Sequence, residues 1–150
     1  MQITANQLHH IYNQGNNREV IFREREDYIL FLKKIETNVY PVCDIIAYCL
    51  MPNHFHFLIN ANERSAYPIK LGSIGSTALA NGFRLSCSSN ANDFNKKYNR
   101  TGSLFRQKTK AKNLEENSEK SPHNDHPFVC FNYIHQNPMT AGLCTVMEEW

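Results

Sequence analysis

Two apolar runs separated by a three-residue turn constrain the fold of this chain more than any other feature. Residues 43–50 read CDIIAYCL and residues 54–60 read HFHFLIN, with MPN between them. Apolar runs of this length that are bounded by turn residues are typical of β-strands. The two runs therefore predict an antiparallel β-hairpin that is buried in a protein core.

The second run contains two histidines at positions where a strand that only fills a core would have Val or Leu. Side chains two residues apart point to the same face of a strand, so we expect His54 and His56 to lie side by side with Leu58. Two neutral imidazoles in this arrangement can share one divalent cation. The alternative is a half-buried structural pair that is hydrogen-bonded to polar neighbours, which is the more common role of a bare His-x-His.

Strands and helices are predicted along the rest of the chain. We expect a strand over 8–13, a helix over 26–38, a weaker helix interrupted by glycines over about 68–98, and a C-terminal helix that begins at Pro127, with Asp125 as its cap, and ends before Pro138. The sequence shows no internal repeat and no domain boundary. One domain over residues 1–150 is therefore expected.

The C-terminal helix carries a second pair of polar side chains. Tyr133 and Asn137 are four residues apart and therefore share one face of the helix. We expect Phe128, Phe131 and Ile134 to form the adjoining apolar stripe that packs on the sheet. A phenol close to a metal can attack phosphorus, and a carboxamide oxygen can serve as a third metal ligand, although a core tyrosine and an Asn before Pro are ordinary features of helices.

Residues 102–112, which read GSLFRQKTKAK, alternate between cationic and other side chains. The alternation predicts a strand with Arg106, Lys108, Lys110 and Lys112 on one face. Residues 84–112 hold eight Lys or Arg and one Asp, while the whole chain has a formal net charge of +2, so the rest of the chain is net acidic. A cationic region of this kind indicates a polyanionic partner, and the alternative is an edge strand protected by lysines.

Composition excludes several classes of protein. The five cysteines are widely spaced and contain no Cys-x-x-Cys pair, which argues against a disulfide framework and against a structural zinc site. No apolar run reaches 18 residues, and the N-terminus lacks the pattern of a signal peptide. We therefore expect a reduced, cytoplasmic protein that is not associated with a membrane.

Two motifs together resemble a known family. YCLMPNHFHFLI and YIHQNPMTAGL, with YNQGNNREVIF before them and GSLFRQKTKAK between them, resemble the HUH superfamily of single-strand nucleases and, within it, the single-tyrosine transposases and their repetitive-element-associated relatives. The resemblance covers most of the chain in the family's order. It implies an α+β fold with a central antiparallel sheet and packed helices, in a ferredoxin-like or RNA-recognition-like arrangement.

The resemblance also implies roles for individual residues. His54, His56 and Asn137 are expected to hold a divalent metal ion, Mg²⁺ or Mn²⁺, and Tyr133 is expected to be the catalytic nucleophile. The DNA backbone is expected to contact Arg100, Arg106, Lys108, Lys110 and Lys112. The implied reaction is nicking and strand transfer of single-stranded DNA, with a hairpin, through a 5′-phosphotyrosine intermediate, as in DNA transposition.

Three points stay open in the sequence. The same fold also suits a catalytically inactive DNA-binding module. Related proteins work either as monomers or as homodimers that share a site. They also continue beyond the position of Trp150, which leaves a C-terminal truncation of the catalytic domain open.

Overall fold

The structure is a computed structural model that describes residues 1–115 and 127–150. Its strands are β1 (Gln7–Gln14), β2 (Cys43–Met51), β3 (His54–Ala61), β4 (Pro68–Leu71), β5 (Ile74–Thr77) and β6 (Lys110–Asn113). Its α-helices are α1 (Arg25–Asn38), α2 (Glu63–Ala66), α3 (Ala78–Lys97) and α4 (Pro127–Thr140). None of the helices in the described part of the chain is long and apolar enough to cross a membrane.

Four strands form the main sheet in the order β2-β3-β1-β6, and every neighbouring pair is antiparallel. In chain order the elements of this unit are β1, α1, β2, β3, α3 and β6, so α1 connects two strands that are separated by β3. This is the ferredoxin-like order. The predicted α+β fold class and the predicted β2–β3 hairpin are confirmed.

Each face of the sheet has its own apolar core. Alternate side chains of β3 divide between the cores, because successive residues of a strand point to opposite faces. Phe55 and Phe57 are fully buried in the larger core, which contains side chains of α1 and α3 such as Phe31 and Phe83. Leu58 belongs to a smaller core with side chains of β2 and of α4. The two histidines of β3 therefore lie on the α4 side of the sheet.

The helix predicted over 68–98 is correct only from residue 78 onward. Residues 68–77 form the separate two-stranded hairpin of β4 and β5, and Gly72 occupies its turn with a φ of +62°. Glycine adopts this left-handed conformation without the steric cost that other residues pay. The Thr77 side chain accepts a hydrogen bond from the Ala80 backbone N–H at 3.3 Å and so begins α3 as its N-cap.

Two predictions about the C-terminal helix are wrong. The helix does not end before Pro138 but continues through it to Thr140. Pro138 lacks a backbone N–H to donate within the helix, and its side chain is buried. The apolar face consists of Cys130, Ile134 and Pro138, whereas Phe128 and Phe131 are 67% and 37% exposed. Asp125, the predicted cap, lies outside the described residues.

The single basic strand predicted over 102–112 is also wrong. Only residues 110–113 are a strand, β6, paired with β1 at the edge of the sheet. Phe105 makes an isolated bridge to Gly15 and is buried in the larger core, 6% exposed. Between that bridge and the pair of Tyr12 with Lys110, four residues of the segment (106–109) face two residues of β1 (13 and 14), so the segment bulges and the strict alternation is lost.

Candidate active site

His54 and His56 stand on the same face of β3, at the end where the hairpin turn begins. Their ring centroids are 5.0 Å apart, and His56 is 7% exposed. Across the sheet, β1 places Gln14 opposite His54 and Tyr12 opposite His56. The pair therefore lies between two strands instead of at an exposed edge.

Helix α4 packs over this face and brings Tyr133 to the histidines. The Tyr133 ring meets the His56 ring edge-on, with centroids 5.3 Å apart, and the Tyr133 side chain is 47% exposed. The burial of Cys130 and Ile134 against the sheet fixes this orientation of the helix. One turn further on, Asn137 points a buried amide group inward. The structure thus brings Tyr133 beside His56 and buries the amide nitrogen of Asn137 on the same helix.

Two buried side-chain polar atoms in the described residues have no hydrogen-bond partner. They are Nε2 of His56 and Nδ2 of Asn137. A buried polar atom without a partner costs about 1–3 kcal/mol, so such atoms are uncommon in folded proteins. Both belong to residues that the family resemblance assigns to a metal site. The O and N atoms of an amide are interchangeable by rotation, so the Asn137 oxygen can occupy the same buried position.

His10 of β1 joins the site, and sequence reasoning did not find it. His10 Nε2 lies 2.8 Å from His56 Nδ1, and the two rings stack with centroids 5.0 Å apart. The His10 ring is also 6.3 Å from that of Tyr133. The alternation of β1 contained the signal, because it places His10, Tyr12 and Gln14 on one face, but the pairing of β1 with β3 was needed to interpret it.

The three histidines are neutral in the folded protein. Burial, together with the neighbouring His10 and His54, lowers the pKa of His56 to about 3. Burial and the nearby Lys112 lower the pKa of His10 to about 4, and burial also lowers the pKa of His54. A neutral imidazole keeps one nitrogen lone pair, which a metal ion requires.

The kinds of donor atom that these residues carry suit a divalent cation if the third ligand is an amide. No group of three or more His, Cys, Asp and Glu side chains in residues 1–115 and 127–150 is arranged to hold a metal ion. His54, His56 and the Asn137 carboxamide oxygen would supply two nitrogens and one oxygen. Imidazole ligands suit Mn²⁺ better than Mg²⁺, which prefers oxygen ligands.

The predicted DNA-binding residues divide into two groups. In the first group, Lys110 and Lys112 pair with Tyr12 and His10 in the β1–β6 ladder, so they lie on the sheet face of the histidines. In the second group, Arg106 and Lys108 lie on the exposed segment before β6.

Arg100 is held within the protein. Its guanidinium forms an ion pair with Glu19 and donates to the backbone oxygens of Gly102 and Ser103.

Beside the histidines, a groove of about 480 Å³ is lined by Tyr12, Gln14, Lys110 and neighbouring residues of the basic segment, including Arg106. With its amide oxygen turned toward Arg106, Gln14 accepts hydrogen bonds from Arg106 Nε at 2.9 Å and Nη2 at 2.5 Å. The exposed Tyr12 ring lies between this groove and His56, at 5.9 Å from the His56 ring. The cationic groove is therefore next to the site, with Tyr12 contacting both.

No protein-family model matches the chain, and no curated protein matches it. Among solved structures, the chain is similar to a REP-associated tyrosine transposase bound to a REP hairpin, with a TM-score of 0.63 over 100% of this chain and 77% of that chain. The chain shares the fold of that transposase. The two sequences are 12% identical, so the likeness concerns the fold and not the individual site residues.

Proposed function

We propose that this protein is a metal-dependent enzyme that nicks and rejoins single-stranded DNA beside a hairpin, with Tyr133 as its nucleophile. The pair of partnerless buried atoms, His56 Nε2 and Asn137 Nδ2, carries this proposal. A site that had only a structural role would satisfy these atoms with hydrogen bonds. The hairpin is proposed by analogy with the transposase of similar fold, whose structure contains one.

Two features of Tyr133 support its proposed role as the nucleophile. Its ring lies beside His56, and nearly half of its side chain is open to solvent, so a phosphodiester can approach the hydroxyl. In the proposed step, the Tyr133 oxygen attacks phosphorus, the bond from phosphorus to the 3′ oxygen breaks, and the phenol proton ends on the released 3′-hydroxyl. The 5′-phosphotyrosine is itself a phosphodiester, so the number of such linkages is conserved and a 3′-hydroxyl can later reverse the step without ATP.

His54, His56 and Asn137 are the residues that would hold the metal ion. When bound, the ion supplies Lewis-acid stabilisation of the charge that develops on the phosphate. The apolar surroundings of Cys49, Leu58 and Ile134 exclude water from the inner side of the site. Exclusion of water strengthens electrostatic interactions there.

His10 positions His56. A ligand nitrogen needs its lone pair, so the proton of His56 must reside on Nδ1 and be donated to Nε2 of His10 across the 2.8 Å contact. This hydrogen bond fixes both the tautomer and the ring orientation of His56.

The decisive experiment uses the two tyrosines that flank His56. Wild type, Tyr133→Phe and Tyr12→Phe are incubated with Mn²⁺ and a labelled DNA hairpin that has a single-stranded extension, then separated on a denaturing gel. We expect a covalent band with wild type and Tyr12→Phe and none with Tyr133→Phe, which still binds the DNA on a native gel. A covalent band from Tyr133→Phe would overturn the assignment. Native binding without any covalent band from the wild type would favour the inactive DNA-binding module.

A further inference from the structure

A second and larger groove lies on the other side of the basic segment. It has a volume of about 970 Å³ and is formed by α3, residues 102–109 and the β4–β5 hairpin. Three exposed side chains of α3 line it at intervals of four residues, Arg84, Ser88 and Asn92. At 1.5 Å per residue, the eight-residue span from the first to the last covers about 12 Å along the helix.

The charge of this groove is positive. Arg84, Arg106 and Lys108 line it, and none of the described residues that line it is acidic. The single carboxylate within residues 84–112, that of Asp93, is turned away from the groove into an ion pair with Lys34 of α1. The groove therefore suits an anionic partner.

The walls of this α3 groove leave room for the backbone of a nucleic acid. Serine, glycine and alanine side chains dominate the part of the lining that comes from residues 75–91. Short side chains let a phosphodiester chain approach the helix, and hydroxyl and amide groups can donate to phosphate oxygens. The Arg84 guanidinium is oriented by Asn81, whose Oδ1 accepts hydrogen bonds from Arg84 Nε at 3.0 Å and Nη2 at 2.8 Å.

The two grooves meet at the basic segment. Arg106, Gln107 and Lys108 line both the groove beside the histidines and the groove along α3. A polyanion that reaches Tyr133 through the first groove can therefore continue into the second.

The two grooves differ in their aromatic side chains. The groove beside the histidines presents the exposed ring of Tyr12. Among the described residues that line the α3 groove, the one aromatic is Phe105, and it is 6% exposed. Proteins hold single strands by stacking bases on aromatic rings, whereas phosphate contacts alone suffice for duplex.

We propose that the α3 groove binds the phosphate backbone of the duplex stem of the DNA whose single-stranded part lies at Tyr133. This inference rests on the proposed function, because it assigns the stem of the same substrate. It also gives a role to the serine- and glycine-rich sequence of residues 71–92, which is a poor helix former.

The test measures binding in a Tyr133→Phe background, where no covalent link can form. Two probes are compared by fluorescence anisotropy, a hairpin with a single-stranded tail and the same tail alone. Ser88→Glu places a carboxylate in the groove, and Ser89→Glu is its control, because Ser89 faces Lys34 of α1 at 3.0 Å. Arg84→Ala removes a cation from the groove. Its control is Arg25→Ala, which removes an exposed cation from α1.

We expect both groove variants to bind the tailed hairpin at least about threefold more weakly than their controls at 200 mM salt, the scale of one lost duplex phosphate contact. Binding of the tail alone stays unchanged. Equal affinities of groove and control variants for the hairpin overturn the proposal, as does an equal loss on both probes. Unfolding midpoints verify that each variant is folded. The proposed function fails separately, if wild type forms no covalent adduct with the tailed hairpin and Mn²⁺.

Discussion

At the scale of single residues, the contact between His10 and His56 adds a third histidine to the pair formed by His54 and His56. His10 lies opposite Leu58 in the β1–β3 register and reaches His56 diagonally, so the hydrogen bond depends on the pairing of β1 with β3. A partner of this kind on the second nitrogen of a ligand histidine typically affects metal affinity by 10- to 100-fold.

We therefore predict that His10→Phe weakens Mn²⁺ binding by about 10- to 100-fold. His10→Gln keeps an oxygen that can accept the His56 proton, so we expect its Mn²⁺ affinity to lie much closer to that of the wild type. Electron paramagnetic resonance of free Mn²⁺ measures both affinities without DNA. Wild-type affinity in His10→Phe would show that His10 does not support the site.

The lowered pKa values of the histidines predict a pH dependence of stability. An unfolded histidine binds a proton near pH 6.5, whereas His56 and His10 in the fold do so only near pH 3 and pH 4. Their neutral forms therefore contribute full stability above about pH 6.5, and this contribution is lost as the pH falls toward 4. Carboxylates with lowered pKa values, such as Asp27, affect stability only below about pH 4.5. A change in stability between pH 6.5 and pH 4.5 is therefore due to the histidines.

Urea unfolding in the presence of EDTA at pH 7.5, 6.0 and 5.0 measures this effect. We expect the free energy of unfolding to fall with pH in the wild type and to change much less in a His10→Gln, His56→Gln double variant. A slope that is the same in both proteins would contradict the assignment.

At the scale of elements, α3 shows why the sequence predicted a helix there only weakly. Glycine lowers helix propensity, and for that reason Gly82 counted against a helix in the sequence. In the structure, a Cβ atom at Gly82 would lie 2.3 Å from the backbone oxygen of Asn38. The glycine is therefore required by the close packing of α3 on α1, a tertiary contact that propensity cannot reveal.

This packing predicts that Gly82→Ala destabilises the protein. We expect a net loss of up to about 2 kcal/mol in the free energy of unfolding, because the steric overlap costs about 1–3 kcal/mol and the gain in helix propensity returns only about 1 kcal/mol. Gly75→Ala is the matched control, since no atom lies within 4 Å of a Cβ there. Chemical denaturation compares the two variants, and equal stabilities would contradict the packing argument.

The other element-scale differences have similar causes. The β2–β3 hairpin and α1 were predictable because their apolar patterns are strong and local. The face of α4 was mispredicted because Cys130, Ile134 and Pro138 form a better-packed stripe than the larger aromatic residues, and only the position of the sheet shows this.

At the scale of the whole molecule, the order of the strands in the sheet could not be predicted from the periodicity of apolar residues. Tyr133, Asn137, His54 and His56 were assigned to one site through a family resemblance. The contact of Tyr133 with His56 depends on α4 lying over β2 and β3. The distribution of charge was only partly predictable. Lys97 and Arg100 are engaged by carboxylates of the N-terminal region, whereas Arg84, Arg106 and Lys108 line one groove. These pairings connect residues about 70 to 80 positions apart, which composition cannot resolve.

The central claim is that one phenol, that of Tyr133, becomes linked to the 5′ phosphate of a cleaved DNA strand. Mass spectrometry of peptides from the wild-type protein, after reaction with a hairpin DNA and Mn²⁺ and digestion of the DNA, locates the modified residue directly. The account predicts a nucleotide adduct on Tyr133 that is absent when EDTA replaces Mn²⁺. An adduct on Tyr12 or on any other residue, or an adduct that forms equally well in EDTA, would contradict it.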